Sequence, residues 1–247
     1  MAELIRVVHQ EGVVSIFLNR PERRNALSLA LLSTLSAALS SEIGDDTSAL
    51  IVSGVDGSFS AGADLSDLTG TLEDLGMDDT IAEVTRKIRD LPVPVIAAID
   101  GPCLGGAFDL ALSCDLRIAS KDAFFQVPAT RLGLLYNPRS IVRMRQLLGR
   151  DVIFRLLVLG ERFDANAACR AGIVSRVVES ASYDVALVVA QSTLGNIRSA
   201  VAATKQLLNA IDGIDYDPGE WEQRRCALLS SPERRAAVAS EKKRRGY

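Results

Sequence analysis

The 247-residue chain has a single histidine, His9, and that scarcity removes much chemistry at once. Without it no Ser–His–Asp site, no Cys–His site and no histidine-based zinc site can be assembled. The four cysteines, Cys103, Cys114, Cys169 and Cys226, are scattered and form no C-x-x-C pair. They read as buried reduced thiols of a cytoplasmic protein. Nucleotide-binding and nucleophile signatures are missing as well: there is no G-x-G-x-x-G, no Walker loop and no G-x-S-x-G. No segment is long and apolar enough to span a bilayer, and MAELIRVVHQ lacks the features of a signal peptide, so no membrane association is expected. A formal net charge of −3 gives no electrostatic footprint for nucleic acid. No metal or redox cofactor is indicated. A catalyst in this chain must be drawn from carboxylates, tyrosine, lysine or the backbone itself.

What is present is an ordinary globular composition, 48% hydrophobic and 24% charged, enough to bury a large core. IRVVHQEGVVSIFLN (5–19) reads as a hairpin turning near Glu11-Gly12. Ser28 is placed to cap a helix in which Leu32, Leu35, Leu39 and Ile43 recur at helical spacing. Strand runs at 49–54, 95–99, 116–119 and 173–178 alternate with helical stretches, which predicts an α/β core with largely parallel pairing. The polar, glycine-punctuated SDLTGTLEDLGMDD (66–79) reads as a loop, either a mobile lid or an ordinary solvated connection. Beyond Ser182 every pattern is helical, with Ser231-Pro232 starting the last helix. The organisation expected is a core over 1–190 and a helical region over 191–247.

Two stretches carry the functional signal, GSFSAGADL (57–65) and DGPCLGGAFDLALSCD (100–115). Each reads as a strand, a glycine turn and a helix start. That arrangement leaves backbone N–H groups unpaired at the first helical turn, and the small residues let a ligand come close. Facing each other, two such turns would form an oxyanion hole. Taken singly, each is better explained as a tight turn.

With these motifs the chain resembles the crotonase (enoyl-CoA hydratase/isomerase) family. NRPERRNAL (19–27), FSAGADL (59–65), PVPVIAAIDGPCLGGAFDLALSCDLRIAS (92–120), FDANAACRAGIVSRVV (163–178) and the tail SPERRAAVASEKKRR (231–245) match its segments in order. The resemblance implies an α/β fold, a crotonase-like (ClpP/crotonase) spiral of ββα units in two roughly perpendicular sheets. It also implies a helical C-terminal region that forms homotrimers, commonly paired as hexamers. By the same resemblance an acyl-CoA thioester binds with its carbonyl oxygen between the N–H groups of Ala63 and Gly106. Coenzyme A is then part of the substrate. Its contacts map to Arg24, Ala26, Ala61, Asp64 and Leu65, with Lys242 near the nucleotide phosphates; Arg24 and Lys242 are equally readable as solvated surface cations.

The chemistry departs from the family pattern. The glutamate expected three residues after the second donor is replaced by Asp109, and the second hydratase glutamate is replaced by Ala129, which cannot move a proton. Ordinary hydration and isomerisation are both put in doubt. Asp109 reads either as a lone general base or as an acid stabilising a helix start. Tyr136, within Leu132-Gly133-Leu134-Leu135-Tyr136-Asn137-Pro138, resembles the tyrosine that touches the substrate carboxylate in methylmalonyl-CoA decarboxylases. Its other reading is a buried ring with a wet hydroxyl, and Ala63 stands where those lyases tend to have histidine. The sequence therefore suggests enolate chemistry on an acyl-CoA as an isomerase or lyase, with non-catalytic acyl-CoA binding as the alternative.

Overall fold

The computed structural model describes residues 3–212 and 216–245. A hairpin pairs β1 (Ile5–Gln10) with β2 (Val13–Leu18), Ile5 lying opposite Leu18. Glu11 and Gly12 both take positive φ, 46° and 76°, the backbone form that matches the twist of paired strands. Ser28 accepts the Leu31 N–H at 3.2 Å and starts α1 (Leu29–Ser41). β3 (Ala49–Gly54), α2 (Leu75–Asp90) and β4 (Val95–Ile99) follow. The chain then forms β5 (Pro102–Leu104), α3 (Gly106–Leu112), β6 (Leu116–Ser120) and β7 (Phe124–Gln126). After α4 (Pro138–Leu147) and α5 (Arg150–Ile153), a π-helical turn over Phe154–Val158 continues the helix. β8 (Phe163–Asp164), α6 (Ala165–Arg170), β9 (Arg176–Val178) and α7 (Ser182–Gln191) complete the first unit.

Six strands form one sheet in the order β1-β2-β3-β4-β6-β9, parallel from β2 onward, with Ile16 beside Val52 and Ala98 beside Ile118. A second sheet has the order β5-β7-β8. Strand alternation decides which core each side chain joins. Ile16, Leu50, Val52, Val95 and Ala97 pack into the larger core with the buried residues of α1, α2 and α3. Their neighbours Ala49, Ile51, Ile96 and Ala98 face the opposite side, where Ala186 and Ala190 of α7 cover them. Both faces are buried, which is why these strands are continuous apolar runs.

Three expectations change. The 66–79 stretch is not an unstructured loop: short 3-10 turns occupy Leu65–Asp67 and Leu72–Asp74, and α2 begins at Leu75. Its acidic residues cap backbone, Asp74 accepting the N–H groups of Thr69 and Gly70 at 2.7 and 2.9 Å. The 173–178 run supplies a strand only over Arg176–Val178, because Ile173 and Val174 turn inward after α6 as buried residues. The chain divides into compact units at Met1–Leu194 and Gly195–Tyr247; the expected break at 190/191 instead lies in the last turn of α7. In the second unit α8 (Arg198–Asp212), α9 (Pro218–Leu229) and α10 (Pro232–Arg245) are all helical, and Ser231 caps α10 through the Arg234 N–H at 3.2 Å.

Candidate functional site

The segment 60–64 runs between two neighbours and bonds to them alternately. Ser60 donates its N–H to Pro102 and accepts from Leu104, on the β5 side. On the other side Ala61 donates to Arg24, Gly62 accepts from Leu27 and Asp64 donates to Leu27, so that Leu27 and Ala63 form a parallel bridge. A parallel bridge built this way uses the groups flanking Ala63 and turns its own N–H towards β5 and the Gly105–Gly106 turn. Among the described residues the N–H groups of Ala63 and Gly106 have no hydrogen-bond partner. The two strands are in close contact here. A Cβ on Gly62 would lie 2.6 Å from the Leu104 carbonyl oxygen and 3.7 Å from the Gly105 Cα.

This corrects the expectation for the first donor: Ala63 sits in a strand-like bridge, not at the start of a helix, and only a three-residue 3-10 turn follows. Gly106 does open a helix. Its predecessor Gly105 has φ 51° and ψ −120°, a conformation open to glycine and strained for other residues. Gly105 is held on both sides, its N–H donated to Gln126 at 2.9 Å and its carbonyl accepting from Phe108 at 3.0 Å.

The residues mapped to coenzyme A in the first unit gather along the same bridge. Arg24 accepts the Ala61 N–H through its carbonyl, while its side chain is exposed. Ala26 is buried and its carbonyl accepts from Arg20 Nη1 at 2.8 Å. The same Arg20 nitrogen pairs with Asp64 at 2.9 Å. Asp64 also accepts from the Ser66 hydroxyl and N–H at 2.7 and 3.0 Å. Ser66, and then Arg20, hold this buried carboxyl down to about 2 against the cost of burial. Leu65 is 69% exposed, an apolar side chain in solvent beside the bridge. Lys242 is exposed on α10, in the second unit.

The motif around Asn25 carries more than the sequence disclosed. Asn25 is fully buried with φ 56°; its amide donates to the carbonyls of Val55 and Ser58 at 3.0 and 2.6 Å and accepts the Arg20 N–H at 2.9 Å. It ties the 19–27 segment to the turn that leads into the first donor. The sequence signal for it is its place in NRPERRNAL (19–27), at the second asparagine of that motif.

Asp109 lies one turn along α3, 2% exposed. Both carboxylate oxygens are engaged: Oδ2 accepts from the Ser140 hydroxyl at 2.5 Å, and Oδ1 pairs with the Arg143 guanidinium. Burial, and then the nearby Arg89, pull Arg143 down to about 10, which leaves it charged at neutral pH. Nothing in the sequence joined Ser140 and Arg143 to Asp109, because only the docking of α4 on α3 brings them together.

Tyr136 is buried, and its hydroxyl donates to the Gly105 carbonyl at 3.1 Å. Burial, then Asp78 and Cys103, push its phenol well above the ordinary range, so it remains a donor. Its ring lines an apolar cavity of about 280 Å³ together with Ala129, Leu134, Ile153, Phe154 and Leu157. Ala129, at 6% exposure, presents only a methyl group to this space.

The enoyl-CoA hydratase/isomerase family model matches residues 8–224. The chain belongs to the enoyl-CoA hydratase/isomerase family. Among similar members of this family, the "Probable enoyl-CoA hydratase echA6" of Mycobacterium leprae is 36% identical, over 70% of this chain and 71% of its own. The 2,3-dehydroadipyl-CoA hydratase of Escherichia coli is 32% identical over 95% of this chain and 93% of its own. A crystal structure of the enoyl-CoA hydratase from Bacillus anthracis superposes with a TM-score of 0.88 at 30% identity, covering 98% of this chain and 97% of that one. The family's fold is therefore that of this chain, a mixed α/β core followed by a helical C-terminal region. Among the described residues, no helix is long and apolar enough to cross a membrane and no His/Cys/Asp/Glu group could hold a metal ion.

Proposed function

We propose that this enoyl-CoA hydratase/isomerase family member binds an acyl-CoA thioester with its carbonyl oxygen between the Ala63 and Gly106 N–H groups, and stabilises the enolate that forms there. The observation that carries the reading is the pair of partnerless backbone donors, one in the bridge segment at Ala63 and one at the start of α3, on stretches that approach closely at Gly62 and Leu104. Donors fixed by the fold stabilise developing negative charge without reorganising at the moment of reaction. The apolar cavity bounded by Ala129 and Tyr136 takes the acyl group. Arg24, Ala26, Ala61, Asp64 and Leu65 flank the coenzyme. The helical C-terminal region mediates assembly into a trimer or hexamer.

The reading does not include ordinary hydration. Syn addition of water is shared between two carboxylates, and the partner position is Ala129. Asp109 is the remaining carboxylate on α3, and it abstracts a proton only on release from Ser140 or Arg143. The isomerase or lyase chemistry then starts from the enolate. A decarboxylase role for Tyr136 gains no support, because the hydroxyl that would meet a substrate carboxylate is spent on the Gly105 carbonyl.

A second reading, binding without conversion, is favoured by one specific observation: the sole α3 carboxylate is doubly engaged while its partner is an alanine. One experiment separates the two. Saturated, enoyl-, 3-hydroxyacyl- and malonyl-type CoA esters are titrated by calorimetry, then incubated in D2O while mass spectrometry follows products and deuterium at Cα. Enolate formation places deuterium at Cα whatever the later step. Tight binding with neither exchange nor product for any ester sinks the enzyme reading and leaves the binding one.

A further inference from the structure

The two donors are not held alike. Ala63 is fixed by strand-like bonds on both flanks, whereas the way the Gly105–Gly106 peptide faces is set by the ψ of Gly105, −120°, by the φ of Gly106 and by the bonds to the Gly105 carbonyl. The carbonyl of Gly105 and the N–H of Gly106 belong to one planar peptide. Rotating that plane would turn the N–H out of the site and the carbonyl into it. Helix α3 restrains the plane through its first turn, where the Phe108 N–H bonds the Gly105 carbonyl at 3.0 Å and the Asp109 N–H at a long 3.4 Å, and the Tyr136 hydroxyl is the side-chain donor to the same oxygen.

We propose that Tyr136 is a positioning residue, whose hydroxyl bond to the Gly105 carbonyl holds the Gly105–Gly106 peptide with the Gly106 N–H turned towards the thioester oxygen and strengthens that N–H as a donor. The hydroxyl lies 3.1 Å from the carbonyl, on a ring locked by burial against the apolar cavity. Asn137 fixes the same segment from the other side, donating to Asp78 at 2.8 Å and capping α4 through the Arg139 N–H at 3.0 Å. Withdrawal of electron density at a peptide oxygen makes the same peptide's N–H more acidic, and linked hydrogen bonds reinforce one another by roughly 10–30%. Tyr136 thus acts on bound substrate through a backbone amide, without touching the reacting atoms. The inference rests on the thioester reading above.

The test compares the full-length protein with Tyr136→Phe and with 3-fluorotyrosine placed at 136, a shape-conserving and stronger donor. In ligand-free protein, selective glycine labelling follows the Gly106 amide proton by NMR. With a saturated acyl-CoA carrying a 13C thioester carbonyl, difference infrared spectroscopy reads how far the bound carbonyl band falls below its free position. The proposal expects the Gly106 proton to move upfield in Tyr136→Phe and downfield with fluorotyrosine. It also expects a carbonyl displacement smaller by roughly 10–30% in the first and larger in the second. Equal displacement in all three proteins, with ester bound, overturns it. If no ester binds, or the wild-type carbonyl is not displaced, the thioester reading itself fails. The free-protein Gly106 resonance then still decides the positioning claim: ordered shifts uphold it and an unmoved resonance refutes it. If Tyr136→Phe does not fold, the fluorotyrosine comparison with wild type decides alone.

Discussion

The Asp109 carboxylate, in the first turn of α3, forms a buried ion pair with Arg143 of α4, and its second oxygen takes the Ser140 hydroxyl at 2.5 Å. A charge buried this way depends on its partner. Removing one member leaves the other unpaired at a cost of about 3–5 kcal/mol, whereas replacing both by apolar groups is often close to neutral. Arg143→Leu is therefore expected to lower stability by about 3–5 kcal/mol, with Asp109→Leu/Arg143→Leu regaining much of it. Urea unfolding of the three variants checks this; a double variant no more stable than the single one would show that the pair is not self-contained.

Asp64 makes stability depend on acid. Its folded value of about 2 lies below the ordinary carboxyl value of ~3.9, so its contribution is complete above pH ~4 and is lost as pH falls towards 2. The contribution is on the order of 2 kcal/mol. Unfolding midpoints measured from pH 6 down to pH 2 should fall more steeply for wild type than for Asp64→Asn. Parallel curves would remove Asp64 from the acid response.

Gly62 lies where the segment before Ala63 packs closely against Leu104 and Gly105. It has φ 87°, and a Cβ there would meet the Leu104 carbonyl oxygen at 2.6 Å. Gly62→Ala is expected to cost at least about 2 kcal/mol and to weaken ester binding by roughly ten-fold or more, since the Ala63 N–H moves with it. Gly57→Ala is the control: φ is 65° but no atom lies within 4 Å, so only the conformational cost remains. Equal losses in the two variants, by thermal melting and calorimetry, would mean that the close approach is unimportant.

Ala129→Glu restores a carboxylate to the wall of the apolar cavity. Burial opposes its charge, so stability falls by about 1–3 kcal/mol. The expected gain is hydration of enoyl-CoA esters above the wild-type rate, read as loss of the conjugated thioester absorbance. A rate no higher than wild type would show that Asp109, held by Ser140 and Arg143, cannot complete the pair.

The local features of this protein were legible because they are local. The Glu11-Gly12 turn, the Ser28 cap and the apolar parallel strands follow from backbone sterics, side-chain capping and burial on both faces. The motif order was enough to name the family. The 66–79 stretch was misread because its Thr71 and Asp74 act as caps, and capping residues look like loop residues until their partners are known. Short strands such as Phe163–Asp164 owe their pairing to the neighbouring strand β7 and leave no period to read.

The sequence by itself determined the family, through motifs that include the stretches around Ala63 and Gly106. Only the tertiary structure decided what surrounds them. Ala63 owes its orientation to a bridge with Leu27, and Asp109 owes its engagement to Ser140 and Arg143. Tyr136 reaches the Gly105 carbonyl from thirty-one positions away. Each depends on elements distant in sequence packing to within hydrogen-bond reach, a distance that residue type and spacing do not encode.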